Sequence, residues 1–456
     1  MFIEFIPYLI FILCTVWVKP WEKEIKSEKL LTILCIDALS FSSFFSLNFY
    51  KIYALFRLPF TYRELTSKQK IFGVLFIGLS LMSGLLFLAF SPSEELWMSG
   101  VSFSDSNAFR MLRNQFSLLT NFLFGYELYK QIENEGKERF LKSFNKVAII
   151  LAIGILLEVI FKIDLYALFS GGRELLYSVH YDRARGFAFE PRGASLLLVV
   201  ALFSNLLFSV SNLNFFSVSI MLMLGTFFSK SLSSTFVACV LALFLFYYLV
   251  YTKKMKFLIR LFFYFSFVLT SLQFNFFSNY TDHIKHKVEI QDRQYSSSNY
   301  ESIASKFEIH EAAYLNFVLN NPIYAITGSG GGLSGVASRE YILPRDRPVF
   351  PKGSTSLPLV GAIYFFAQYG IFSIGLLLII FSFLKDWSSD GKVFLNLILI
   401  TAGIQIFYFL PFVVCCCFFV LAQKSIFETK SSITNARPKQ EPKTTNDSEI
   451  ERGETV

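Results

Sequence analysis

The feature that most constrains this chain is a series of apolar blocks, each about 20 residues long. An apolar helix of that length spans the hydrocarbon core of a bilayer. The composition agrees, since 54% of the 456 residues are hydrophobic and the mean hydropathy is +0.49. Strands of a membrane β-barrel alternate apolar and polar residues, whereas these blocks are apolar on every face. We therefore predict an all-α polytopic membrane protein and exclude a β-barrel.

The apolar blocks predict eleven or twelve transmembrane helices. They cover residues 2–18, 30–50, 71–90, 109–129, 147–169, 194–210, 214–228, 233–251, 257–277, 357–384 and 393–421. Residues 1–169 thus hold the first five helices, 194–278 the next four and 357–422 the last ones. The last block contains Gly403 and Pro411, and a proline inside a helix breaks or kinks it. We interpret this block as two short helices, which makes twelve; one tilted helix would make eleven.

The placement of lysine and arginine predicts the orientation, because cytoplasmic links are enriched in both. The links 51–70, 130–146 and 253–260 are rich in basic residues and are predicted to be cytoplasmic. This leaves a short external loop at 170–193 and a long one at 279–356. The polar tail, residues 423–456, is predicted to be disordered and cytoplasmic. The link 19–29 disagrees with this topology, since it carries four lysines and three glutamates on the side taken as external.

The short external loop carries a concentrated group of charges in the stretch HYDRARGFAFEPRGASL, residues 180–196. Arg183, Arg185 and Arg192 are suited to phosphate, because a guanidinium stays protonated and binds two oxygens at once. Glu190 would either orient these arginines or take a proton from a sugar hydroxyl. The alternative interpretation is a charge cluster that only anchors helix ends at the membrane surface.

The long external loop offers further candidates. Residues 302–319 carry apolar residues at the spacing of an amphipathic helix, which Asn320, Asn321 and Pro322 would end. His310 and Glu311 lie on this helix and are secondary candidates for catalysis. The following GSGGGLSG lacks the pattern of a nucleotide-binding loop, so we interpret it as a flexible or tightly turning loop near the substrate, or as a simple linker.

Other cations lie near the predicted external boundary of the membrane. They are Arg110, Arg113, Lys230, Arg339, Arg345 and Arg347. Anchoring at the interface would explain those at the helix ends, and binding of an anionic head group is the functional alternative. None of the four histidines forms an HExxH pair, so we expect no metal site. The net charge of +8 reflects the links between spans, and we expect no nucleic-acid partner.

Four stretches resemble the O-antigen polymerase and ligase superfamily of bacterial surface-polysaccharide assembly. Arg183-x-x-Gly186 with Glu190-Pro191 resembles the family's RxxGxxxEP pattern. Ser229-Lys230 is similar to a family Ser-Arg pair, with lysine in place of arginine. The runs EAAYLNFVLNNPIYAITGSGGG and FFAQYGIFSIGLLL resemble the family's loop helix with its glycine turn and the family's closing span. Together these stretches cover the region from about residue 106 to 385.

The resemblance implies a membrane glycosyltransferase that polymerises undecaprenyl-pyrophosphate-linked repeat units at the outer face of the cytoplasmic (inner) membrane of a bacterium. Donor and acceptor would both be lipid-linked glycans, and a chain-length regulator and a flippase would act in the same pathway. No cofactor is implied, because the leaving group is already activated. Arginines and Lys230 would hold pyrophosphate or glycan, and the general base would be Glu190, with His310 or Glu311 as alternatives.

Two other functions remain open at this point. Ligases of the superfamily carry a histidine just before the closing span, and here residues 352–358 read KGSTSLP, which favours a polymerase. A flippase or ion-coupled transporter is the competing class, and such proteins often contain inverted repeats and acidic or broken helices at the membrane midplane. Only Asp37 and Glu158 are acidic residues well inside predicted spans, and no convincing repeat is present.

Overall fold

The structure is a computed structural model, which describes residues 2–22, 25–36, 48–90, 106–170, 184–188, 190–208, 212–229, 231–273, 309–338, 341, 358, 360–385, 390–406 and 408–434. Within these ranges every regular element is a helix, which confirms the all-α prediction there. Four helical stretches in this described part are long and apolar enough to cross a membrane, namely Ser67–Phe90, Lys137–Phe161, Ser233–Tyr251 and Gly361–Leu384. Shorter apolar helices accompany them. This is the pattern of a helical membrane protein, while the count of eleven or twelve spans stays a prediction.

The helices divide into three groups along the chain. The first group is α1 (Phe2–Val18), α2 (Ser27–Cys35), α3 (Phe49–Glu64), α4 (Ser67–Phe90), α5 (Asn107–Glu135), α6 (Lys137–Phe161) and α7 (Leu165–Ser170). The second is α8 (Pro191–Phe208), α9 (Asn212–Ser229), α10 (Leu232–Tyr251) and α11 (Met255–Gln273). The third is α12 (Ile309–Asn320), α13 (Ile323–Thr327), α14 (Ser334–Ala337), α15 (Gly361–Tyr369), α16 (Ser373–Leu384), α17 (Asp390–Ile404) and α18 (Leu410–Thr434).

The predicted span 30–50 is wrong as a single helix. Helix α2 ends at Cys35, Ile36 is extended, and α3 begins only at Phe49 and runs through most of the predicted link 51–70. The charge of Arg57 made this region look like a link, but both Arg57 and Glu127 on α5 are 1% exposed and form an ion pair, with Nε 3.2 Å from Oε1. Thr61 also donates to Glu127, at 2.8 Å. The pair neutralises charge inside the bundle, where a buried charge without a partner would be destabilising.

The link 19–29 lies at the same end of the bundle as the α5–α6 corner, which corrects its predicted placement on the opposite side. The backbone N–H of Ser27 donates to Glu135 at 3.0 Å, and its hydroxyl donates to the same carboxylate and to Ser143. Lys146 pairs with Glu28 at 3.2 Å. We call this the basal end. The correction brings the four lysines of the link into line with the other basic links.

The corrected topology predicts how three positions label. Single cysteines that replace Lys26 and Lys254 should react only when the cytoplasmic side is open to a membrane-impermeant maleimide, because the basal end is the lysine-rich one. A cysteine at Ser298, outside the described residues, should react from the external side. Labelling of Lys26→Cys and Lys254→Cys from opposite sides would contradict the common basal end.

Of three other predicted spans, one agrees with the structure and two differ from it in detail. Block 393–421 is two helices, as predicted, with α17 ending at Ile404 and Pro411 in the first turn of α18. Block 147–169 is divided, because α6 ends at Phe161 and α7 follows after a short connection. Block 357–384 is interrupted by a 3₁₀ turn at Gly370–Phe372. Helix α18 continues through Thr434, so the first part of the predicted disordered tail is helical, and residues 435–456 lie outside the described chain.

Two apolar clusters hold the bundle together. The larger joins helices of all three groups, and in it the Phe418 ring of α18 packs on Phe122 and Tyr126 of α5. The smaller joins α12–α14 to the bundle, with Phe87 of α4 against Phe317 and Tyr324. The part of the long loop that the structure describes is therefore packed onto the bundle. The predicted helix 302–319 is described from Ile309, ends at Asn320 as expected, and is buried over most of its surface.

Candidate functional site

The short loop folds back into the bundle at residues 184–188. Gly186 has a φ of +58°, and a Cβ on it would lie 2.7 Å from the backbone nitrogen of Ile155 in α6. The ring of Phe187 packs on Gly154, one residue earlier in α6. A left-handed backbone this close to a helix favours glycine. The glycine of the RxxG pattern is thus explained by a close contact between loop and helix.

A carboxylate on α6 holds the backbone of this loop. Oε2 of Glu158 accepts hydrogen bonds from the N–H groups of Arg185 at 3.2 Å and of Gly186 at 2.5 Å. Two successive N–H groups pointing at one carboxylate form an anion-binding nest. An acid inside an apolar span is the sequence signal for such a site. Glu158 is recognisable in the sequence as an acid inside a predicted span, but its role becomes visible only from these contacts.

The guanidinium of Arg185 is bound within the protein. Its Nη2 lies 2.5 Å from Oδ2 of Asp164, its Nε donates to Oδ1 at 3.3 Å, and its central carbon lies 4.6 Å from the ring centre of Tyr166. Asp164 also accepts from the N–H of Ala167, and so begins α7. The arginine is 7% exposed. The predicted contact of Arg185 with pyrophosphate stays a prediction, and Asp164 was missed because it lies inside a block read as one span.

Glu190 and Arg192 lie at the start of α8. The carbonyl of Glu190 accepts from the N–H of Ala194, so Glu190 is the N-cap and Pro191 the first helical residue, a position that suits proline. The Glu190 side chain is exposed and that of Arg192 is half-buried. Gly193 follows, and a Cβ there would overlap the ring of Tyr408 in the connection between α17 and α18. The start of α8 therefore adjoins that connection.

His310 and Glu311 lie at the start of α12, and Glu311 contacts the segment that leads into α15. Glu311 is 1% exposed and its Oε1 accepts from the N–H of Val360 at 3.4 Å, while His310 is half-buried. Val360 leads into Gly361, where a Cβ would overlap the carbonyl of Ala402 near the end of α17. Glu311 is thus linked through Val360 and Gly361 to Ala402 near the end of α17, whereas Gly193 places Glu190 and Arg192 near Tyr408. We call the four residues Glu190, Arg192, His310 and Glu311 the candidate site.

The glycine run is a packed element, which decides between its two interpretations. Residues 328–334 are all buried. Gly328, Gly330 and Gly332 have φ values of +72°, +72° and +78°. A Cβ on Gly328 would be 2.7 Å from N of Gly370, and a Cβ on Gly330 would overlap the backbone of Gly84. A Cβ on Gly332 would be 2.9 Å from the carbonyl oxygen of Arg110. Each glycine therefore lies against a different part of the bundle. This is a tight turn, and the linker interpretation is wrong.

Polar side chains that the sequence analysis missed lie beneath the glycine run. Ser80 donates to Oε1 of Gln368 at 2.9 Å and accepts from Gln115 at 3.2 Å, and Asn114 donates to Gln368 at 3.4 Å. These residues come from α4, α5 and α15 and are all buried. In α12, the hydroxyl of Tyr314 lies 3.4 Å from that of Ser329, and burial raises the pKa of Tyr314 to about 12. This tyrosine is therefore a neutral hydrogen-bonding partner at physiological pH.

The remaining candidates are distributed differently. Arg110 is 5% exposed in the first turns of α5, and Arg113 is exposed. Arg183, Lys230, Arg339, Arg345 and Arg347 lie outside the described residues. Searches of protein-family models, of curated proteins and of solved structures find no match to this chain. A functional proposal therefore depends on the geometry of the site and on the motif resemblance.

Proposed function

We propose that this protein is a membrane glycosyltransferase that polymerises undecaprenyl-pyrophosphate-linked repeat units at the outer face of the cytoplasmic membrane. The observation that carries the proposal is that two distant segments approach the end of α17 and the residue Tyr408 that follows it. The start of α8, with Glu190 and Arg192, packs on Tyr408, and α12, with Glu311, binds the start of α15 beside Ala402. A transferase needs a cation for its leaving group and a base for its acceptor in one place.

The chemistry requires only groups of these types. The acceptor hydroxyl oxygen attacks the anomeric carbon of the donor, and the bond from that carbon to the pyrophosphate oxygen breaks. The electron pair leaves with the lipid pyrophosphate, whose charge Arg192 would stabilise. The hydroxyl proton passes to Glu190 as general base, with Glu311 or His310 as the alternatives. Arg183, Lys230, Arg339, Arg345 and Arg347 are proposed as further contacts of pyrophosphate or glycan.

A flippase or transporter is a second candidate, and a specific observation favours it. The helix pair α15–α16 is interrupted at Gly370–Phe372 and α17–α18 at residues 405–409. Buried amides, including Gln368 and Asn114, lie beside the first interruption. Interrupted helices with polar groups between them are typical of transporter binding sites. This candidate requires no covalent step.

The polysaccharide of a deletion strain separates these functions. Loss of a polymerase should leave a single repeat unit on the lipid core, visible as one band in place of a ladder. Loss of a ligase should leave bare core with polymer still on the lipid carrier. Loss of a flippase should leave bare core with single lipid-linked repeats held on the cytoplasmic side. An unchanged ladder in the deletion strain would exclude the proposed polymerase.

A further inference from the structure

We propose that Glu158 and Asp164 are positioning residues, which hold the loop 184–188 inside the bundle and thereby fix the start of α8 at the candidate site. The inference rests on the proposed function, because the geometry it protects is that of Glu190 and Arg192. Neither carboxylate belongs to the four stretches that resemble the polymerase and ligase superfamily. Each is placed by its contacts in this structure alone.

The two carboxylates bind different parts of one arginine, so they act together rather than in competition. Glu158 accepts from the backbone N–H groups of Arg185 and Gly186, whereas Asp164 binds the guanidinium of Arg185. They flank the end of α6 at Phe161, one before it and one after it. The loop is therefore attached to the α6–α7 junction through its main chain and its side chain at once.

Further contacts hold the same few residues. The N–H of Ala184 donates to the carbonyl of Phe228 at 3.2 Å, near the end of α9, and the N–H of Ala188 donates to the carbonyl of Arg185 at 3.1 Å. Glu190 follows Arg185 by only five residues, a reach of at most about 18 Å when fully extended. Because the intervening segment is short and is held by the Ala188–Arg185 hydrogen bond, we expect displacement of Arg185 to move Glu190.

The alternative is that Arg185 binds the substrate, and that Asp164 only neutralises the charge of Arg185 while no substrate is bound. In that case loss of the Asp164 charge would release the guanidinium for pyrophosphate and leave the loop in place. In a positioning role, loss of either carboxylate weakens the charge-assisted bonds that hold the loop. The two views differ in what they predict for the position of Glu190 in Asp164→Asn.

The experiment measures that position through the reactivity of a cysteine. Glu190→Cys and, separately, Ala108→Cys are introduced together with Cys239→Ser, which removes the exposed native thiol. Ala108 is exposed in the first turn of α5 and serves as the reference site. Each cysteine-bearing protein is combined with Asp164→Asn, Glu158→Gln or Glu127→Gln and purified in lipid nanodiscs. The rate at which its cysteine reacts with a water-soluble maleimide is then measured. The last is a matched control, because it also weakens a buried carboxylate–arginine pair, at the basal end.

We expect Asp164→Asn and Glu158→Gln to change the rate at Glu190→Cys severalfold, because displacement of the start of α8 places the thiolate among different charges. Glu127→Gln should leave this rate unchanged, and no variant should alter the rate at Ala108→Cys. With the cysteine substitutions absent, the two loop variants should shorten the glycan ladder in cells at normal protein level, and Glu127→Gln should shorten it less.

An unchanged rate at Glu190→Cys in both loop variants would overturn the inference. So would a changed rate with a full-length ladder, or an equal loss of ladder in Glu127→Gln at equal protein level. These failures are distinct from failure of the proposed function, which is an unchanged ladder in the deletion strain. The labelling rates are measured on purified protein and do not depend on that result.

Discussion

Gly330→Ala is expected to destabilise the protein by roughly 3–5 kcal/mol, enough to reduce its level in the membrane severely. The φ of Gly330 is +72°, which already disfavours alanine. An added Cβ would also overlap the backbone nitrogen and Cα of Gly84 and lie 2.9 Å from the carbonyl oxygen of Ser80. Because these are backbone atoms of α4, no side chain can turn aside, and the glycine run must separate from the helix.

The matched control for this variant is Gly78→Ala, on the same helix that receives Gly330. Nothing lies within 4 Å of a Cβ at Gly78, and alanine is favoured over glycine in a helix by about 0.5–1 kcal/mol. The midpoint of thermal unfolding in detergent is measured from the loss of monodisperse protein on heating. We expect this midpoint to decrease strongly in Gly330→Ala and not to decrease in Gly78→Ala. Equal midpoints for Gly330→Ala and the native chain would show that the run does not pack on α4.

The helices that the sequence predicts best are those that are apolar along their whole length and need only the lipid around them to be stable. Block 71–90 corresponds to α4 and block 233–251 to α10, because a long apolar run needs no partner to identify it. The break near Pro411 was predicted for a similar reason, since proline acts locally on its own helix. In these cases the information lies within about 20 residues of sequence.

The elements that the sequence did not predict depend on partners far along the chain. Arg57 and Glu127 are 70 residues apart, and each alone argues against burial, but as a pair they allow α3 to pack inside the bundle. The charges of the 19–29 link were visible, whereas its contacts with Glu135 and Lys146 were not. Such pairing is a property of the tertiary structure, so the hydropathy of a short stretch of sequence does not reveal it.

The candidate site was predicted in part, for the same reason. The sequence indicated Glu190, His310 and Glu311 as chemical groups, and it left the glycine run open between a flexible or tightly turning loop and a linker. It did not indicate that the glycines would meet Gly84 and Gly370. Asp164 was hidden inside block 147–169, although the charges of Lys162 and Asp164 are a signal that the helix ends before them.

Glu190→Gln is expected to slow chain extension by about 10²–10⁴-fold, the usual effect of removing a general base. The amide keeps the size of the side chain and one acceptor oxygen but cannot take the proton. The side chain is exposed at the N-cap of α8, where its backbone carbonyl begins the helix, so the substitution should leave the fold intact. Glu138→Gln, an exposed carboxylate in the first turn of α6 at the basal end, is the control and should retain a full ladder.

Donor binding then identifies what Glu190 does. If Glu190 is the base, purified Glu190→Gln should bind the lipid-linked donor as the native protein does while extension stops, because only the transition state needs the proton transfer. If Glu190 instead orients Arg192 through a charge-assisted hydrogen bond, donor affinity and extension should fall together, and Arg192→Lys should reproduce both losses. A full-length ladder in Glu190→Gln would exclude the base assignment, and Glu311→Gln and His310→Ala would then be the variants to measure, since these two residues are the alternative candidates for the general base.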